Sequence, residues 1–118
     1  FTYIDDIVDG IINALDNAAT SNDDWNSNQP DPSSSKAPWC IYNIGNNKPV
    51  PLMDYISALE KALGKKAKIN FLPLQAGDVA DTHASINNIK NKLNYKPSTT
   101  VVDGVKQFVS WYKNYYSL

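Results

Sequence analysis

The chain contains no arginine, because all 11 of its basic residues are lysine. Arginine supplies the rigid, bidentate donor fork that proteins favour for phosphate and carboxylate groups, so the residue type best suited to those anions is absent. The lysines are scattered along a chain whose formal net charge is −1. No basic patch therefore predicts nucleic-acid binding, and no acidic tail predicts a basic partner.

Cysteine and histidine each occur once, as Cys40 and His83. A single cysteine excludes an internal disulfide and a thiolate metal cluster, and one histidine cannot build a histidine-based zinc site alone. No metal site is predicted. Cys40 lies in the apolar run Trp-Cys-Ile-Tyr, for which we predict a buried and unreactive thiol. The 5 glycines are isolated, so no glycine-rich loop is present to cradle a phosphate or a dinucleotide.

Long apolar runs and catalytic motifs are also absent. No run approaches the roughly 20 apolar residues of a membrane span, and no signal peptide is visible, which predicts a soluble protein in the reducing cytoplasm. No tyrosine is followed four residues later by lysine, and no nucleophile elbow or metal-ligand spacing appears. We therefore expect no catalytic residue in this chain. Because Phe1 leads directly into a helical pattern, we expect a fragment of a longer protein.

What the sequence does contain is apolar residues at helical spacing in four segments, which predicts four amphipathic helices. The first runs from Ile4 to Leu15, and its Asp5 and Asp6 are interpreted as charges that complement the helix dipole. The second begins near Leu52 and carries apolar positions as far as Leu63.

Turn and cap residues set the limits of these helices. Gly64 predicts the end of the second helix, because glycine readily adopts the left-handed conformation found there. Ser85 is expected to cap a short third helix. Thr100 and Asp103 resemble a capping box at the start of the fourth helix, with Asp in place of the usual Glu.

Two short runs predict β-strands, WCIYNI at residues 39–44 and KINFL at residues 68–72. Residues 20–38 are rich in Ser, Asn, Asp and Pro, which predicts a long, flexible surface loop. Together these features predict an α/β fold that is rich in helix, with about four helices and two or three short strands.

Polar residues follow each predicted strand, at Asn43 and Asn46 after the first and at Gln75 and Asp78 after the second. Loops past strand ends are where α/β proteins usually hold ligands. Asp78 is an acceptor only, which suits sugar hydroxyls, although a structural capping role is equally consistent. His83 is interpreted as a surface or packing histidine, because no partner nucleophile is visible.

Taken in order, the segments resemble the C-terminal portion of extended short-chain dehydrogenases/reductases. The greatest resemblance is to the NAD-dependent nucleotide-sugar epimerases, especially UDP-glucuronate 4-epimerases. It is carried by FTYIDDIVDGI, YNIGNNKPV, LMDYISALEKALGKKA, LQAGDVADT and LNYKPSTTVVDGVKQFVSWY. The set of motifs in one order is specific, whereas any one of them alone is weak.

The resemblance implies that a preceding Rossmann half binds NAD and carries the catalytic Ser/Thr, Tyr and Lys. Residues 1–19 then form a helix from the end of the Rossmann-side region, and residues 39–118 form the substrate-binding domain. Asn43, Asn46, Gln75 and Asp78 are expected to contact a UDP-sugar. Some relatives carry arginine where Gln75 stands. The complete protein is expected to be a homodimer.

Three functions remain open from the sequence. The first is the substrate-binding fragment of a UDP-glucuronate to UDP-galacturonate epimerase, inactive alone. The second is the corresponding part of a nucleotide-sugar dehydratase or decarboxylase in the same family. The third is a non-catalytic interaction module whose contact surface includes Trp25, Trp39 and Trp111. Loss of a covering Rossmann half would leave apolar surface exposed, which predicts self-association.

Overall fold

A computed structural model describes all residues from Phe1 to Leu118. It contains four α-helices, α1 (Ile4–Asp16), α2 (Leu52–Leu63), α3 (Asn87–Leu93) and α4 (Val101–Tyr115), which confirms the four predicted helices. α1 packs on α3, and α2 packs on α4. None of the four combines the length and the apolar character needed to span a bilayer. The molecule measures 55 × 35 × 20 Å.

The predicted limits of α2 and α4 are confirmed by their end geometry. Gly64 adopts φ +68°, and its N–H donates to the carbonyl of Glu60, which ends α2 in the left-handed conformation that glycine adopts without strain. At the start of α4, the Thr100 hydroxyl accepts from the backbone N–H of Asp103 at 3.1 Å. It also donates to the Asp103 carboxylate, so this pair differs from the reciprocal capping box.

The cap predicted for α3 is displaced by one position. Ile86, not Ser85, occupies the N-cap of α3. The Ser85 hydroxyl accepts only a long 3.5 Å contact from the backbone N–H of Asn87. Ile86 is buried, because it belongs to the apolar core, and this burial places the helix start one residue beyond the polar side chain.

The predicted strands at residues 39–44 and 68–72 are wrong for this chain. The only β-type pairings are two isolated bridges, Asn26 with Gln29 and Ser34 with Cys40. A strand exists only when a neighbour completes its hydrogen-bond ladder. Residues 39–44 form only the single bridge at Cys40, and residues 68–72 form none. These runs therefore form no sheet despite their β-type composition, and the regular secondary structure of the chain is helical.

The core of the chain is small, with 10 of 118 residues buried. Ile86, Ile89, Leu93 and Tyr95 form one cluster between α1 and α3, against which Tyr42 packs among others. Cys40, predicted to be buried, is only half-buried. Because so few side chains are buried, hydrogen bonds between distant segments contribute much of the stability of the fold.

The loop at residues 20–38 is organised around Asp31. The Asp31 carboxylate accepts from the backbone N–H and the hydroxyl of Ser33, both at 2.8 Å. These hydrogen bonds lower the pKa of Asp31 below its ordinary value. The carbonyl of Asp31 accepts from the indole N–H of Trp25 at 3.2 Å. Trp25 thus contacts its own loop, and the predicted flexibility of this loop stays a prediction.

The apolar stripe of α1 is largely exposed, although the sequence predicts it as a packing face. Ile4, Val8, Ile11, Ile12 and Leu15 are exposed, and Leu15 retains 79% of its accessible surface. The face that α1 buries in this chain instead carries Asp6 and Gly10. A contiguous exposed stripe of this kind on a helix is a typical protein contact surface.

We expect the chain to self-associate through this stripe. At high concentration, light scattering should give a mass above the 13.1 kDa of a single chain, because association removes apolar side chains from water. Ile11→Lys should shift the distribution towards monomer, whereas Asp5→Lys, on an exposed polar position of the same helix, should not. A clean monomer for the unsubstituted chain would contradict the prediction.

Candidate functional site: a cleft between two polar loops

A cleft of about 750 Å³ lies between the N-terminal segment, the loop that precedes α2, and the loop that precedes α3. Its lining comes from residues 1–2, 44–52 and 80–84. The volume is in the range of pockets that hold small molecules in proteins. At one side, the ring of Phe1 stacks on Tyr55 of α2, with centroids 4.2 Å apart. The loops thus form an open site with both polar and apolar surface.

The two loops of the cleft are joined by His83. Its Nε2 lies 2.9 Å from the side-chain oxygen of Asn47, across a separation of 36 residues in sequence. With Nε2 donating to this amide oxygen, Nδ1 of a neutral imidazole is left as an acceptor. Asn47 adopts φ +57°, a left-handed conformation that non-glycine residues seldom occupy. The histidine interpreted from sequence as surface or packing therefore connects the walls of the cleft.

The wall at residues 44–47 is fixed from behind by Tyr95 and Thr99. The Tyr95 hydroxyl donates to the carbonyl of Gly45 at 3.2 Å, and the amide of Asn46 donates to the carbonyl of Thr99 at 3.1 Å. Burial raises the pKa of Tyr95, and the nearby carboxylates of Asp6 and Asp9 raise it further. The hydroxyl therefore stays protonated and remains a donor well above neutral pH.

Asp6 holds the segment to which Asn46 is attached. Its two carboxylate oxygens accept from the backbone N–H groups of Ser98 and Thr99, each at 3.1 Å. Asp6 is only 5% exposed, although it lies in the first turn of a helix where carboxylates are usually solvated. The interpretation of Asp6 as a helix-start charge is therefore incomplete, because the side chain joins α1 to the backbone that precedes α4.

The four predicted substrate-binding residues do not gather at one point. Asn46 lines the cleft, but its amide is committed to the carbonyl of Thr99. Asn43 lies outside the lining and donates to the carbonyl of Ser85 at 3.4 Å. Gln75 and Asp78 also lie outside it, on an exposed turn closed by a 3.1 Å bond from the N–H of Asp78 to the carbonyl of Gln75. Their role in substrate binding stays a prediction.

The sequence pattern singles out His83 but not Lys48 among the titratable groups of the cleft. Lys48, Asp81 and His83 are the titratable side chains that line it. Lys48 follows two asparagines and precedes a proline, a context that reads only as a turn. No local pattern in the sequence pairs residue 47 with residue 83. Only the folded chain shows that Lys48 lies next to Asn47, which is hydrogen-bonded to His83.

The residues of this chain do not fit a nicotinamide dinucleotide. A dinucleotide site needs clustered glycines that let backbone N–H groups approach the pyrophosphate at a helix N-terminus. The only left-handed glycines here are Gly64, at the end of α2, and Gly77, in an exposed turn. No group of three or more His, Cys, Asp or Glu side chains is arranged to hold a metal ion.

Sequence comparisons find close relatives, although no family model matches the chain. Protein CapI of Staphylococcus aureus is 47% identical over 98% of this chain. UDP-glucuronate 4-epimerase 2 of Arabidopsis thaliana is 44% identical over 98%. The chain spans 35% of the length of the first and 26% of the second. It corresponds to about a quarter to a third of these relatives.

Two solved structures of epimerases contain a region with the fold of this chain. The UDP-glucuronic acid 4-epimerase of Bacillus cereus, in complex with UDP-glucuronic acid and NAD, matches 98% of the chain with a TM-score of 0.73 at 30% identity. The chain covers 32% of that protein. The UDP-glucose 4-epimerase of Bifidobacterium longum, in complex with NAD⁺ and UDP, matches 92% of the chain with a TM-score of 0.69. Its 21% identity supports the fold alone.

The fold is that of a part of the nucleotide-sugar epimerases, which are NAD-dependent short-chain dehydrogenases/reductases. Within that class, the chain is homologous over its whole length to UDP-glucuronate 4-epimerases and to CapI. The resemblance read from the ordered sequence motifs is thereby confirmed.

Proposed function

We propose that this chain is the substrate-binding part of an NAD-dependent nucleotide-sugar 4-epimerase that acts between UDP-glucuronate and UDP-galacturonate, and that it is inactive alone. The observation that carries the proposal is the alignment of nearly the whole chain with UDP-glucuronate 4-epimerases at 42–44% identity. The rest of the complete protein would supply the cofactor and the reacting groups.

The cleft supports substrate binding by this chain. It is bounded by two loops that are anchored to helices on either side, so its shape is largely formed before a ligand arrives. Hydroxyl groups suited to a ribose or a pyranose line it at Thr2 and Thr82, together with the side-chain oxygen of Asn46 and the amide N–H groups of Asn47. A nucleotide sugar carries many hydroxyls and a diphosphate, and such a ligand requires this mixture of donors and acceptors.

The exposed stripe of α1 supports the need for a partner region. A Rossmann half of the same protein would cover such a stripe and complete the wall of the cleft. That half is also the proposed site of NAD, because the residues of this chain do not form a dinucleotide cradle. A homodimeric complete protein and a cytoplasmic location remain part of the proposal.

The proposal is tested by offering the chain its substrate with and without cofactor. Incubation of the 118-residue chain with NAD and UDP-glucuronate is expected to yield no UDP-galacturonate in chromatographic analysis, because no catalytic set is present. The same chain, ¹⁵N-labelled, is expected to show amide shifts at cleft residues when UDP-glucuronate is added. Denatured chain serves as the control for non-specific contacts.

Either of two results would overturn the proposal. Measurable turnover by the chain alone would show that the chain itself is catalytic. Amide shifts that do not change when millimolar UDP-glucuronate is added would show that the cleft is not a sugar-nucleotide site. For the complete protein, a panel of UDP- and dTDP-sugars separates epimerisation from dehydration and decarboxylation by the product formed. Release of water or carbon dioxide as the main reaction would contradict the epimerase assignment.

A further inference from the structure

Lys48 is the only lysine among the residues that line the cleft. The two ion pairs of the chain lie elsewhere, between Lys66 and Glu60 and between Lys106 and Asp103. The side chain of Lys48 is exposed and forms neither an ion pair nor a side-chain hydrogen bond in the chain. Its ammonium group is therefore free to meet a ligand, in a chain that has no arginine for that task.

The backbone around Lys48 is restricted on both sides. Asn47, which precedes it, is held at φ +57° while its side-chain oxygen is bound to His83 at 2.9 Å. Asparagine adopts this conformation more readily than other non-glycine residues, and the hydrogen bond to His83 fixes its side chain there. Pro49, which follows, disfavours helical backbone at Lys48, because its ring crowds the preceding residue. Lys48 is thus presented from an ordered wall of the cleft.

We propose that Lys48 is the cation that anchors an anionic group of the sugar nucleotide, and that the Asn47–His83 hydrogen bond positions it. The inference rests on the proposed function, because it names a specificity-determining residue of the same cleft. The anionic group is a phosphate of the diphosphate or the carboxylate of glucuronate. Asp81, on the opposite loop, carries the like charge that keeps such an anion on the Lys48 side.

The test compares ligands that differ in charge. The ¹⁵N-labelled chain is titrated with UDP-glucuronate, UDP-glucose and uridine, and the Kd is obtained from the amide shifts. Lys48→Met, which preserves the apolar stem and removes the charge, is expected to raise the Kd for UDP-glucuronate by about tenfold, the loss of one charge-assisted contact. Uridine binding should be unchanged. Lys68→Met, at an exposed lysine outside the cleft, is the matched control and should bind as the unsubstituted chain does.

The ligand panel identifies the anionic group. A tenfold loss for both UDP-sugars assigns the diphosphate, and a loss confined to UDP-glucuronate assigns the carboxylate. An unchanged Kd for both sugars in Lys48→Met overturns the inference while leaving the proposed function intact. Absence of binding by the unsubstituted chain overturns the proposed function and this inference with it.

The positioning role of His83 is tested by a double-mutant cycle. His83→Ala is expected to weaken UDP-glucuronate binding in the unsubstituted chain and to have no further effect in the Lys48→Met background, because its contribution passes through Lys48. A purely structural role would give the same loss in both backgrounds. That additive result would remove His83 from the proposal and leave Lys48 as the sole anchor.

Discussion

Replacement of Asp6 by alanine is expected to lower the free energy of unfolding by about 3 kcal/mol. The carboxylate accepts from two backbone N–H groups, those of Ser98 and Thr99, within a site that is 5% exposed at Asp6. Alanine removes two hydrogen bonds to a charged acceptor, and each such bond contributes about 1.5–3 kcal/mol, with the lower end expected because Ser98 is exposed. Urea unfolding followed by far-ultraviolet circular dichroism measures the change.

Two variants define the cause of this loss. Asp5→Ala removes the neighbouring carboxylate, which is exposed, and is expected to change the free energy of unfolding by less than about 0.5 kcal/mol. Asp6→Asn keeps the shape and one acceptor oxygen, so its loss should lie between those of the other two. If Asp5→Ala and Asp6→Ala destabilise the chain equally, the effect is one of helix-dipole charge and the described hydrogen bonds are not responsible.

Replacement of Ile89 by alanine is the other large effect, with an expected loss of about 2–5 kcal/mol. Ile89 is fully buried at 0% exposure, in the cluster that joins α1, α3 and the segment before the cleft. α3 has only 7 residues, which is too short to be stable without tertiary contacts. Deleting the methyl groups of Ile89 leaves a cavity at the centre of the small core.

Graded variants separate cavity formation from helix propensity. Ile89→Val removes one methylene and is expected to cost about 0.5–1.5 kcal/mol, whereas Ile41→Ala, at a side chain that is 56% exposed, should cost much less than Ile89→Ala. Thermal unfolding of all three variants places them on one scale. Similar losses for Ile41→Ala and Ile89→Ala would show that the cluster is not the centre of stability.

The helices could be predicted because they depend on local pattern. The periodic apolar residues, the glycine at position 64 and the threonine at position 100 act within a few residues of their own position, and the structure places α1, α2 and α4 where these signals predict them. The strands could not be predicted in the same way. Residues 68–72 have β-type composition, but pairing depends on a neighbour that composition does not provide.

The contacts that shape the candidate site are all non-local. The Asp6 carboxylate reaches across 92 residues to Ser98, and His83 reaches across 36 to Asn47. A lone aspartate in the first turn of a helix has the same sequence signature whether it is solvated or buried. Sequence reasoning located the stretch that contains His83 but not its partner, and it overlooked Lys48 because an isolated lysine carries no pattern.

The carboxylate of Asp6 also links α1 to the cleft. The outer face of α1 is the exposed apolar stripe, while its inner face grips the backbone at Ser98 and Thr99, from which the amide of Asn46 reaches the cleft. Two consecutive contacts, from Asp6 to the N–H of Thr99 and from the carbonyl of Thr99 to Asn46, thus connect the two surfaces of the molecule. Any protein that seats on the stripe and shifts α1 must also strain the wall of the cleft, so docking on one side is mechanically linked to ligand geometry on the other.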